Sequence, residues 1–184
     1  MFRRIALLAG LATLPLSSTL ADTATGRIVG GEPAPVDLWP WMAQVAVDDP
    51  SVSGYLLCGA SHLSPEWLVT AAHCMEYLDG SPAQADQTFV FIGDDDRNNV
   101  PQNGIPVRQI LLHRQYQNLN RDLAMLRIDT RSNTLWPNII SESSFNDLEG
   151  RSTTALDESV TALGWGNTGN GNLSNVLREV QLDY

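Results

Sequence analysis

Lysine is missing altogether from this sequence of 184 residues: its eleven positive charges are all arginine, set against 21 acidic residues for a formal net charge of −10. So acidic a chain excludes nucleic acid and anionic membrane surfaces as partners, because phosphate recognition needs clustered Lys and Arg. Charge is scarce overall, at 17% of residues against 43% hydrophobic. That balance excludes a disordered chain, which goes with low hydrophobicity and high net charge. Beyond residue 21 there is no repeat, no low-complexity tract and no long amphipathic helical pattern. No apolar run is long enough to cross a bilayer either, since the longest holds about 12 residues and a span needs roughly 20.

That longest run lies at the N-terminus, where it has a different meaning. Arg3 and Arg4 form a positive opening, and Ile5 to Leu16 are apolar apart from Gly10, Thr13 and Pro15. Thr19-Leu20-Ala21 then offers small residues for cleavage after Ala21. The pattern is that of a signal peptide over residues 1–21, using the general export route, rather than a membrane anchor. A secreted protein, extracellular or periplasmic, is expected. In an oxidising compartment Cys58 and Cys74, the only two cysteines, are expected to pair. Closing that loop contributes on the order of 3 kcal/mol. A rival metal site made from Cys58, Cys74, His62 and His73 matches no common zinc spacing, so neither a metal nor a cofactor is expected.

The processed chain shows short apolar runs separated by Gly, Pro, Asn and Asp, the pattern of an all-β sandwich or barrel. Strands are expected at Met42–Val47, Tyr55–Leu63, Trp67–Thr70, Thr88–Ile92, Val107–His113, Ala124–Ile128, Ser159–Gly164 and Arg178–Leu182. A short helical turn fits Ala71–Tyr77. From Asp129 to Glu158 the apolar residues scatter among Ser, Asn, Asp and Pro, as in a connection between two units. Only about two strands follow it, and an isolated hairpin is marginal in water.

Four segments carry chemical information. In Gly26-Arg27-Ile28-Val29-Gly30-Gly31, Arg27 is a possible processing site. Cleavage there would create an ammonium on Ile28, and once buried this group needs a carboxylate partner. In the block from Cys58 to Cys74, His73 lies at a strand end between alanine and cysteine, where it would be held as rigidly as a general base requires. His62 and His113 lack such a context and read as satisfied core or surface residues. In Asn120-Arg121-Asp122-Leu123-Ala124, Asp122 opens an apolar strand, and a partly buried carboxylate needs a partner. A histidine Nδ1–H is a suitable one. Asp129, closing that strand, reads as a solvated cap. Leu163-Gly164-Trp165-Gly166 reads as a tight turn beside a core tryptophan.

Together with Trp39-Pro40-Trp41, these segments resemble the chymotrypsin/trypsin family of serine endopeptidases, in order from Arg27 to about Leu182. Thr-Ala-Ala-His-Cys with its upstream cysteine is the most specific of them. The resemblance implies two antiparallel β-barrels with the active site between them. It assigns residues 22–27 to an activation propeptide and 28–184 to the peptidase domain. Within that domain 28–128 form the first barrel, 129–158 the connection and 159–184 the start of a second barrel only partly present. It also implies His73 as general base and acid, Asp122 as its orienting partner, a Cys58–Cys74 disulfide and a zymogen cleaved after Arg27. Protein or peptide substrates, an activating protease and a monomeric state are expected with it.

One element of the family is not found. No Gly-Asp-Ser-Gly-Gly motif occurs in the 184 residues, and Ser143, Ser144, Ser152, Ser159 and Ser174 lack its context. Without the serine there is no acyl-enzyme route, so the chain as given is expected to be inactive. The alternative is a non-catalytic secreted pseudoprotease or the product of a decayed gene. The acidic turn Gly93-Asp94-Asp95-Asp96-Arg97-Asn98-Asn99 reads as solvated rather than calcium-binding, since it lacks a second carboxylate cluster.

Overall fold

The computed structural model describes residues 31–94, 96–99, 104–129, 159–169 and 171–183. The expected signal peptide and propeptide, Arg27 and Ile28, and the connection beyond residue 129 lie outside these residues. Among the described residues no helix is long and apolar enough to cross a membrane.

The strands are β1 (Glu32–Pro33), β2 (Met42–Asp48), β3 (Tyr55–Ser64), β4 (Trp67–Thr70), β5 (Thr88–Ile92), β6 (Ile105–Leu112), β7 (Ala124–Ile128), β8 (Ser159–Gly164) and β9 (Arg178–Asp183). β2-β3-β4-β7-β6-β5 close into an antiparallel barrel, sealed where Val45 of β2 opposes Val90 of β5. β1, β9 and β8 form a separate three-stranded sheet. The all-β architecture expected from the sequence is therefore present, with one complete barrel and part of a second sheet.

Period-two alternation fills the barrel. On β7, Ala124, Leu126 and Ile128 are buried while Arg127 faces solvent. β2 is buried from Met42 to Val47, because both of its faces are covered. Ala43, Val45 and Val47 point into the barrel core. Met42 instead joins a second cluster with Ala34, Trp165 and Leu177. Trp39 and Trp41 pack edge-to-face at 5.8 Å beside that cluster. The Trp39 indole N–H donates to Glu179 Oε2 on β9 at 2.7 Å, tying the entry to the first barrel to the second sheet.

Three local features differ from expectation or add to it. The turn expected over Ala71–Tyr77 is a single 3-10 turn, Ala72–Met75. β1 is a two-residue strand defined only by pairing Glu32 with Glu179 and Pro33 with Arg178, so no local pattern announces it. Asp129 is exposed, as a cap would be, but forms an ion pair with Arg108 of the neighbouring strand at 2.6 Å.

His62 is a core histidine, wholly buried on β3. Its backbone N–H donates to the Trp41 carbonyl at 2.8 Å. Burial holds its pKa below the ordinary 6.5, against the opposing pull of the Pro65 and Ser64 backbone. The unfolded chain therefore takes up a proton on this residue more readily than the folded one. Stability should fall as pH drops below about 6.5 towards the lowered folded value. In urea melts across that window, His62→Leu should show a shallower acid-side slope; an unchanged slope would contradict a neutral buried imidazole. Leu126→Ala, at a fully buried position, should cost about 2–5 kcal/mol. Leu111→Ala, on the exposed face of β6, should cost roughly 0.5 kcal/mol or less. Equal losses would mean that the barrel interior is misassigned.

Candidate functional site

β4 ends at Thr70, β7 begins at Ala124, and these two residues are register partners in an antiparallel pair. The chain leaving β4 and the chain entering β7 therefore meet at the same end of the barrel. His73 lies in the 3-10 turn just after β4, and Asp122 lies just before β7. Although 49 positions apart, they are joined twice. Asp122 Oδ1 accepts the backbone N–H of His73 at 2.8 Å. Oδ2 lies 2.6 Å from His73 Nδ1.

A carboxylate oxygen 2.6 Å from Nδ1 favours one tautomer. The ring hydrogen bond from His73, followed by the backbone N–H of the same residue, holds the Asp122 carboxyl below its ordinary value of 3.8. An ionised carboxylate can only accept, so Nδ1 carries the proton. In the neutral ring Nε2 is then left with its lone pair. The His73 side chain is 51% exposed and that of Asp122 24%, so the imidazole faces solvent while the carboxylate is more sheltered. Such a pair can accept a proton at Nε2 and stabilise the resulting imidazolium through Asp122.

Two further constraints hold the histidine. Cys58 on β3 and Cys74, next to His73, form a disulfide with a Cα–Cα distance of 6.2 Å. With both sulfurs bonded to each other, neither is a thiolate ligand in this state. Thr70 donates its hydroxyl to the Gly59 carbonyl at 2.8 Å, fixing β4 against β3 beside that bond. His73, Cys58 and Cys74 line a depression of ≈ 390 Å³ whose far wall is Glu76, Tyr77 and Leu78.

That wall was missed by reasoning from the sequence. Asp49, almost fully buried at the end of β2, accepts the Ser51 N–H at 2.8 Å, the Ser51 hydroxyl at 2.7 Å and the Leu78 N–H at 2.9 Å. These donors, Leu78 first, lower its pKa. Asp79 accepts the N–H and hydroxyl of Ser81 in the same manner. Both are Asp-x-Ser turns, a local signal that could have been read from the sequence. Glu76 Oε2 accepts the Tyr116 hydroxyl at 3.1 Å, a long-range contact with no such signal.

His113 reaches this end of the barrel through its backbone, donating its N–H to the Leu123 carbonyl at 2.9 Å. His113 Nδ1 accepts the Gln115 N–H at 3.2 Å. Ser174 is buried and spends its hydroxyl on the Val176 carbonyl at 2.7 Å. In the acidic turn, Asp94 and Asp96 turn back on their own loop, accepting the N–H groups of Asp96 and Asn98.

The family model described as Trypsin matches residues 28–184. Over 181 residues the chain is 31% identical to ovochymase of Halocynthia roretzi, covering 94% of this chain and 10% of that protein. It is 37% identical over 125 residues to transmembrane protease serine 5 of Homo sapiens, covering 66% of this chain and 26% of that protein. Serine protease 28 of Mus musculus is 27% identical over 134 residues, with 66% and 46% covered. The chain thus spans less than half the length of each of these relatives. With the family match running the length of the barrel and of the second sheet, this chain belongs to the trypsin family.

Proposed function

We propose that the chain is part of a secreted serine endopeptidase made as a zymogen, with His73 as general base and acid and Asp122 as its orienting partner. The observation that carries this reading is the doubly bonded His73–Asp122 pair, 2.6 Å between Nδ1 and Oδ2, which leaves the Nε2 lone pair of a half-exposed side chain available. In such chemistry Nε2 takes the proton of a serine hydroxyl as its oxygen attacks the scissile carbonyl, then returns it to the leaving amine. Asp122 stays ionised throughout and stabilises the imidazolium.

The segments outside the described residues and the family membership support the export and activation steps. Removal of residues 1–21 accompanies export, and cleavage after Arg27 frees the Ile28 ammonium as an activation switch. Substrates are proteins or peptides, an activating protease cuts after Arg27, and the mature domain is a monomer. The nucleophile is not supplied by any Gly-Asp-Ser-Gly-Gly motif in these 184 residues, so this polypeptide by itself does not hydrolyse peptides.

Two measurements test the reading. Treated with an active-site-directed fluorophosphonate, the purified 184-residue chain should remain unlabelled. A chain extended along the coding sequence to a Gly-Asp-Ser-Gly-Gly serine should label at that serine. Labelling within the 184 residues would overturn the assignment of the nucleophile. An in-frame stop with no such motif would favour the non-catalytic reading. In proton NMR, the His73 Nδ1–H should give a far-downfield resonance that Asp122→Asn weakens or shifts upfield, with the barrel signals retained. A resonance indifferent to that change would remove Asp122 from its orienting role. In the extended, labelling-competent chain the same substitution should lower kcat by about 10⁴ through the wrong tautomer.

A further inference from the structure

We propose that reduction of the Cys58–Cys74 disulfide converts this corner of the barrel into a site for a zinc-like divalent cation. Its ligands are Cys58 Sγ, Cys74 Sγ and His73 Nε2, and the fourth position is open. The donor atoms of these three residues already lie within 4.8 Å of one another. His73 Nε2 and Cys74 Sγ are 3.5 Å apart. A tetrahedral zinc with N at about 2.05 Å and S at about 2.3 Å separates two such ligands by about 3.6 Å. That edge of the coordination tetrahedron is therefore already in place. Two sulfurs on one zinc stand about 3.8 Å apart, so the freed Cys58 sulfur needs to move by only about 2 Å.

The other nitrogen of the His73 ring is already held by a carboxylate. A metal-bound histidine commonly donates its other ring N–H to a carboxylate, which fixes the tautomer and raises its basicity. Asp122 Oδ2 does this for His73 at 2.6 Å. Cys58, Cys74 and His73 all line the open depression, which provides an entry path for the cation and space for a water ligand. The rival metal site set aside in the sequence reading included His62; that residue is buried on β3 and its ring nitrogens do not join the donor atoms of Cys58, His73 and Cys74.

The redox step balances with a dithiol reductant. Its thiolate attacks Cys58 Sγ, the S–S bond breaks, and the electron pair leaves on Cys74 Sγ. The second thiolate of the reductant then displaces Cys58 Sγ and closes to a cyclic disulfide, so the protein gains two electrons and the two protons of the dithiol. Binding of the cation releases those two thiol protons. For an exported chain such reducing conditions apply before export, in the cytosol where thiols are kept reduced, or wherever a dithiol reductant is supplied. Coordination occupies the Nε2 lone pair, the same one the proposed general base uses.

The test uses the 184-residue chain reduced with a phosphine, which leaves no competing thiol, and titrated anaerobically with Co²⁺. The reduced chain should bind one equivalent, with the visible bands of tetrahedral cobalt and a thiolate-to-cobalt charge-transfer band. The oxidised chain should show neither. His73→Ala should weaken binding at least about tenfold and alter the visible bands, while His113→Ala leaves both unchanged. Absence of the tetrahedral bands would overturn the proposal, as would bands indifferent to His73→Ala. Far-ultraviolet circular dichroism guards against binding by an unfolded chain: loss of the β signature on reduction that Co²⁺ does not restore also overturns it. None of these readouts involves hydrolysis, so the metal site and the protease reading succeed or fail separately.

Discussion

Thr70 stands opposite Ala124 where β4 pairs with β7, and from that register the rest of the site follows. Antiparallel pairing places the exit of one strand beside the entrance of the other, so three residues of turn and two residues of approach bring His73 to Asp122. The far end of the same pair is also held. The Ile128 N–H donates to the Glu66 carbonyl at 3.0 Å, and Arg127 pairs with Glu66 at 3.2 Å. A slip of one residue would turn Leu126 and Ile128 out of the core, which the barrel does not tolerate. Precision at the polar corner thus derives from apolar packing several residues away.

Charge is arranged at that corner to keep Asp122 ionised. Its pKa is lowered by donors that exist only in the folded chain. Its contribution to stability is therefore complete above the unfolded value of 3.8 and is lost as pH falls through the lower folded one. The approach to Asp122 is conformationally unusual. Asn118, Leu119 and Arg121 all have positive φ, at 49°, 64° and 52°. Gln117 and Asn120 exchange backbone hydrogen bonds across Asn118 and Leu119, the arrangement of a tight hairpin turn with both central residues left-handed. Asparagine accepts that conformation readily and leucine does not, so the turn is held by the strands around it. Strain of this kind tends to occur where geometry matters more than local comfort.

Much of the strand pattern, in the barrel and in the separate sheet, was legible because the strands alternate or carry a continuous apolar run. Trp67–Thr70, Thr88–Ile92, Ala124–Ile128 and Ser159–Gly164 begin and end where the residue pattern changes. His73 and Asp122 were legible through their flanking residues, which couple a strand end to a disulfide on one side and an apolar strand on the other. What stayed hidden depends on pairing between distant segments. β1 has no pattern of its own, β6 starts at Ile105 because Val90 receives it, and the partner of Asp129 is set by the neighbouring strand. The Glu76–Tyr116 contact is of the same kind, created by closure of the barrel.

The disulfide has a second consequence beyond bracing the histidine turn. Cys74 is adjacent in sequence to His73, the residue proposed as general base, so its sulfur, 3.5 Å from Nε2, stays close to that nitrogen. While that sulfur is bonded to Cys58 it is a poor ligand and an inert neighbour. As a thiolate it would be a strong ligand and would draw any soft cation towards the same nitrogen. Pairing Cys74 with Cys58 therefore keeps a strong ligand from forming beside the His73 lone pair. The compartment in which the chain resides thus bears on the availability of His73 as well as on the stability of its fold.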